Sequence, residues 1–151
     1  MTVIRRAIKS DIPAMVEMGR SMIDESPRYR SQGVNVEKLH NLAMALVTAA
    51  MPGGVLVAEK EGVVVGMLAF HIGQHFFNDV TFASDLVMYI RPEHRSSSIF
   101  PKLVTAFEAW ADEYGVGEKQ LGVSAEIDSQ RTVAALERMG YEQVATGTSK
   151  F

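Results

Sequence analysis

Residues 85–103 constrain the fold of this 151-residue chain more than any other stretch. Asp85-Leu86-Val87-Met88-Tyr89-Ile90 reads as an apolar strand, the following residues to Ser98 as a short basic, serine-rich loop, and Pro101 begins an amphipathic helix. A strand that feeds a helix through so short a loop leaves the first helical amides without intrahelical partners. Backed by the positive end of the helix dipole, such amides can hold a pyrophosphate with no metal or acidic ligand.

The other elements follow from periodicity and breakers. Residues 3–8 form an opening strand, and Ser10 is placed to cap a helix with Pro13 in its first turn. Ile12, Met15, Val16, Met18, Met22 and Ile23 recur with a helical period that stops near Glu25-Ser26-Pro27. Leu39, Leu42, Ala43, Leu46 and Val47 mark a second helix, stopped by Pro52-Gly53-Gly54. Residues 55–60 and 63–72 form a β-hairpin around Glu61-Gly62, and residues 82–90 the next strand. A helix over 101–114 ends at Gly115, a strand covers 120–125, and a helix over 129–139 ends at Gly140. Residues 141–151 suffice for two short edge strands. The fold class is α/β, mixed α+β, in the order β-α-α-β-β-β-α-β-α-β-β, and no linker or repeat divides residues 1–151 into more than one domain.

Composition narrows the function. A net charge of −3 with no Lys/Arg run disfavours nucleic acid as a partner. No apolar run approaches a membrane span, and no apolar leader opens the chain, so the cytoplasm is the expected location. The absence of cysteine removes disulfides, thiolate metal sites and a thiol nucleophile together. His71 and His75 are four apart, a spacing that suits a metal only on a helix; they flank a strand end and read instead as lining for an acceptor pocket, with Phe76, Phe77 and Tyr29.

Three regions together resemble the GNAT family of acyl-CoA-dependent N-acyltransferases, whose cofactor loop reads Arg/Gln-x-x-Gly-x-Gly/Ala between a strand and a helix. Arg95 fills the first position, and Ser98 and Phe100 stand where the family carries small residues. The hairpin from Glu59 to Gly66 and the tail Leu136-Glu137-Arg138-Met139-Gly140-Tyr141 look like the family at the same order and spacing. Residues 18–29 and Phe107-Glu108-Ala109-Trp110-Ala111 are similar to small GNAT proteins of phages and bacteria.

The resemblance implies a GNAT fold, a mostly antiparallel mixed sheet with one splayed parallel strand pair, and acetyl-CoA as cosubstrate. It implies that Val87, Met88, Tyr89 and Ile90 flank pantetheine, with a backbone N–H near Met88 or Tyr89 facing the thioester oxygen. Arg95, Ser96, Ser97, Ser98, Ile99, Phe100 and Lys102 would surround the pyrophosphate, and Ser129 stands where many relatives have an Asn touching pantetheine. Relatives deliver a proton to the leaving thiolate from a Tyr four residues before the Gly-aromatic pair; here that position is Leu136.

Acyl transfer to an amine requires the free base, so an ammonium acceptor must lose a proton, often to a carboxylate. Asp85 heads an apolar run that would raise its pKa, a useful direction for a base, and Glu126 at the end of the next strand is the second candidate. With no cysteine and no Ser-His-Asp array, transfer is expected to be direct, in a ternary complex. The acceptor would be a primary amine chosen by the loops at 27–36 and 74–81. Edge strands near the C-terminus offer a surface through which two copies could pair as a homodimer. Other readings are an inactive acyl-CoA-binding or interaction domain, suggested by Ser98, Phe100 and Leu136, and an acylase of aminoacyl-tRNA using Arg5, Arg6, Arg28, Arg30 and Lys38 as a basic patch.

Overall fold

The computed structural model describes residues 1–123, 125 and 127–150. Its elements are β1 (Thr2–Arg6), a 3-10 turn (Lys9–Asp11), α1 (Ile12–Glu25), α2 (Val36–Val47), β2 (Gly53–Lys60), β3 (Val63–Gln74), β4 (Thr81–Ile90), a second 3-10 turn (Pro92–His94), α3 (Ile99–Glu113), β5 (Glu118–Gln120) and α4 (Ser129–Arg138). The strands form one sheet in the order β1-β2-β3-β4-β5. The first three pairings are antiparallel and β4–β5 is parallel. Among the described residues no helix is long and apolar enough to cross a membrane.

The alternation of side chains along β2 and β3 divides the core in two. On one face Leu56, Leu68 and Phe70 pack against Leu103, Phe107 and Ala111 of α3. On the other, Val55, Val57, Met67 and Ala69 meet Met15, Met18, Ala43 and Leu46 of α1 and α2. Phe70 is fully buried and meets Phe107, Trp110 and Tyr114 edge-on, at centroid distances of 5.2, 5.2 and 6.4 Å. Trp110 lies directly over Gly54, where an added Cβ would come within 2.1 Å of the indole. Gly54→Ala is expected to cost about 1–3 kcal/mol by overpacking, read as a lower urea midpoint at unchanged slope.

Glu61 and Gly62, with φ of 52° and 78°, make the left-handed turn that joins β2 to β3. Gly115 and Gly140 terminate α3 and α4 with φ of 71° and 94°, the conformation a helix C′ residue adopts. Ser10 does not cap α1; it lies in the 3-10 turn. The neighbouring Asp11 takes the structural role: buried, it accepts the Ile8 amide at 2.8 Å and both terminal nitrogens of Arg5 at 2.8 and 2.9 Å. The Arg5 guanidinium holds the Asp11 carboxyl below the usual carboxylate range.

Two expectations are corrected. Among the described residues the fifth strand covers Glu118–Gln120 and leaves out 121–123 and 125, because the Gly122 amide bonds the Asp85 side chain in place of a strand carbonyl. No strand forms in residues 141–150. That segment has no apolar alternation to bury, and Val144 is 82% exposed.

Candidate active site

The sheet splits at one level. β4 and β5 pair only from Phe82↔Glu118 to Ser84↔Gln120. At the next residue the β3–β4 register jumps, with Ala69 opposite Val87 and Phe70 opposite Asp85, so Leu86 is an extra residue in β4. Such a bulge bends its strand and increases the local twist. Above it β4 and the segment after β5 diverge around a cavity of about 280 Å³. Residues 85–90 form one wall and 121–123 the other; the first turn of α3 and the inner side of α4 form its floor. Alternate residues of β4 therefore turn their backbone groups toward the gap instead of toward a neighbouring strand.

Asp85 stands at the apex of this gap. Its Oδ1 accepts the Gly122 amide at 3.0 Å, among the described residues the last bond between the two walls before they separate. The side chain is half-buried on the α3 side of the sheet, directly across from Phe70. Burial pushes its pKa up to about 6, against the opposing pull of the Gly122 amide. The neighbouring Tyr141 hydroxyl donates to Glu108 at 3.2 Å, and burial together with the Glu108 and Asp85 charges keeps that phenol protonated.

The loop above β4 leaves several backbone amides free. Ser97 Oγ donates to the His94 carbonyl at 2.5 Å and accepts the Ile99 amide at 3.3 Å. The amides of Ser96, Ser98 and Phe100 have no hydrogen-bond partner among the described residues. Orphan amides at a helix N-terminus are a general anion seat. Glycine is not required for this path: Ser98, the residue preceding α3, has φ −78°, and no residue between 91 and 100 has positive φ. Phe100 packs against the α3-side core and lines the gap, where its ring can face an apolar chain.

Of the residues singled out from sequence, Asp85, Val87, Met88, Tyr89, Ile90, Arg95, Ser97 and Phe100 come together around the cavity. Ser96, Ser98, Ile99, Lys102 and Ser129 do not line it. Ile99 is a core residue, 1% exposed, and Ser129 is the first residue of α4, preceded by Asp128 at a left-handed φ of 50°. Glu126 lies outside the described residues. Arg95 does not present its guanidinium to the loop amides: both terminal nitrogens go to Glu25, and Nε donates to the Ile90 carbonyl at 2.8 Å. His71 and His75 do not line the cavity; His75 bonds Glu118 at 2.8 Å and stacks on Phe77.

Leu136 is buried in the cavity wall and brings no proton donor there. The Tyr89 hydroxyl already donates to Glu25 at 3.1 Å, and burial beside that carboxylate raises its pKa. Arg131, Ala135 and Arg138 line the gap from α4 and were missed, although their 3-4-7 spacing on one helical stripe is a signal that sequence carries. Glu25 and Ser26 were missed as well; nothing local distinguishes them from any polar helix end.

The parallel strand pair thus parts beside a helix N-terminus, with orphan amides above and a raised carboxylate at the apex. A model of the acetyltransferase (GNAT) family matches residues 24–141, and the chain belongs to that family. No curated protein matches it in sequence. Among solved structures it is similar to AAC(6')-Iy in complex with a CoA bisubstrate analogue, at TM-score 0.79 and 14% identity, over 100% of this chain and 97% of that one. An acetyltransferase from Trypanosoma brucei gives TM-score 0.75 at 15% identity over 100% and 99%. A transcriptional regulator from Bacillus halodurans C-125 gives 0.76 at 20% identity over 100% and 99%. At these identities the likeness establishes the fold.

Proposed function

We propose that residues 1–151 form a single N-acetyltransferase domain that transfers an acetyl group from acetyl-CoA to a primary amine by direct attack in a ternary complex. The observation that carries this reading is the split between β4 and β5, with Asp85 at its apex and the free amides of Ser96, Ser98 and Phe100 at its upper end. The residues present fit the cosubstrate: apolar walls for pantetheine, orphan amides for pyrophosphate, and Arg131 on α4 as an added cation beside the cavity. The thioester supplies an activated acyl carbon. Asp85, ionised above about pH 6, takes the ammonium proton so that the amine can attack. Backbone N–H groups among residues 87–90 that face the gap stabilise negative charge on the acyl oxygen. The thiolate leaves without help from α4, since its ordinary pKa near 8.5 makes it a tolerable leaving group.

Leu136 favours one second reading, an acyl-CoA-binding domain with little or no turnover. Thermal unfolding with acetyl-CoA, with desulfo-CoA and ATP as controls, tests the cosubstrate directly. A rise of about 5 °C or more specific to the CoA compounds is expected at saturating ligand. No rise at millimolar acetyl-CoA would overturn both readings. Thiol release over a panel of amines then separates them: turnover supports the transferase, and binding without turnover supports the second reading.

A further inference from the structure

Among the described residues the walls of the gap share no backbone pairing beyond Ser84↔Gln120, yet Glu25, which ends α1, and Ser26, which follows it, hold both of them. Glu25 accepts both terminal nitrogens of Arg95, Nη2 at 2.8 Å, and the Tyr89 hydroxyl at 3.1 Å. Ser26 is fully buried; its Oγ donates to the Ala125 carbonyl at 2.5 Å and accepts the Tyr29 amide at 3.1 Å. One residue thus grips β4 and the loop above it, and the next grips the opposite wall.

Anchoring the strand end alone would not require Glu25, because Arg95 Nε already donates to the Ile90 carbonyl at 2.8 Å. The paired contact with Glu25 adds a fixed orientation of the planar guanidinium, whose carbon lies 5.2 Å from the centre of the Tyr89 ring. With its side chain fixed at three points, Arg95 fixes the backbone immediately before Ser96, the first of the three free amides.

We propose, building on the reading of the gap as an acyl-CoA seat, that Glu25 is a positioning residue: by clamping Arg95 and Tyr89 it holds the loop so that the amides of Ser96, Ser98 and Phe100 stay presented to the pyrophosphate, while Ser26 holds the facing wall. Glu25 touches no substrate. Removing its charge frees Arg95, and the loop loses its fixed path even though every amide remains.

Calorimetric titration of acetyl-CoA into wild type, Glu25→Gln, Arg95→Gln and the double variant tests this. Glu25→Gln is expected to bind about tenfold more weakly, as loss of one charged hydrogen-bonded contact would give. Arg95→Gln should lose a similar factor, and the double variant no more than the worse single, because the two residues act as one unit. Amide NMR supplies a signature that a purely structural role would not move. Inorganic pyrophosphate should shift the Ser96, Ser98 and Phe100 resonances of wild type, and those of a folded Glu25→Gln only at about tenfold higher concentration. Should Glu25→Gln fail to fold, Tyr89→Phe removes one of the three bonds to Glu25 and should show the same losses on a smaller scale. Wild-type affinity in Glu25→Gln, or in Tyr89→Phe where that variant is used, overturns the proposal, as do additive losses in the double variant. Absence of acetyl-CoA binding by wild type would instead remove the underlying reading of the gap, and the proposal with it.

Discussion

Asp85→Asn is expected to lower kcat by about 10²- to 10⁴-fold, the range that removal of a general base gives, while raising the melting temperature at pH 8. The two effects share a cause. Burial lifts the carboxyl to about 6, so it accepts a proton from an ammonium more readily than an ordinary aspartate does. The same burial penalises the ionised form. An acid whose folded pKa exceeds its unfolded value of 3.8 favours the folded state most below that value, and the contribution is lost as pH rises through about 6. At pH 8 wild type therefore carries an unfavourable buried charge that asparagine lacks, and the Asn oxygen can still accept the Gly122 amide. After discounting for partial exposure, relief of about 1–2 kcal/mol corresponds to roughly 2–6 °C in a chain of this size. The gain should shrink toward zero at pH 4. In wild type, activity should rise with pH through about 6 and then level, and Asp85→Asn should lose that limb. An unchanged rate in Asp85→Asn would reduce Asp85 to the anchor of Gly122 and shift attention to Glu126.

What could be read from sequence depended on how local its cause was. The hairpin around Glu61-Gly62, the stop at Gly115 and the helical stripe of Leu103, Val104 and Phe107 rest on turn chemistry and periodicity within a few residues, and each forms where its residues predict it. That a short loop joins a strand ending at Ile90 to a helix was legible in outline. That this loop does not need glycine was not, since only the backbone reveals that none of its residues takes positive φ. Nothing in the string Asp85-Leu86-Val87 announces a bulge at Leu86, because the two faces of β4 are set by partners on β3 and α3. Glu25 and Arg95 are separated by 70 positions, and Asp85 and Gly122 by 37, so neither pairing leaves a local trace. Residues 141–151 were read as two short edge strands because the segment is long enough for them, yet no strand forms over 141–150. Their polarity, with Val144 the lone aliphatic side chain larger than alanine, was the physical signal to the contrary.

Phe70→Ala should be the most damaging single substitution in the core, and its effect should reach Asp85. Truncating a fully buried phenylalanine typically costs about 3–5 kcal/mol, and Phe70 also loses edge-on contacts with Phe107, Trp110 and Tyr114. Chemical denaturation should show a lower midpoint at near-constant slope. Phe70 stands opposite Asp85 at the register jump, so the space it vacates adjoins the carboxylate. Water or a relaxed side chain entering that space would lessen the burial that raises Asp85, and the acidic limb of the rate profile should move below about pH 6. Phe70→Leu keeps most of the apolar volume and should lose less stability while leaving the limb in place. If Phe70→Ala loses stability but its pH limb stays at the wild-type position, the packing of the α3-side core does not set the Asp85 pKa. Its rise would then have to come from the walls of the gap themselves, from Leu121 and Gly122 rather than from the aromatic cluster beneath.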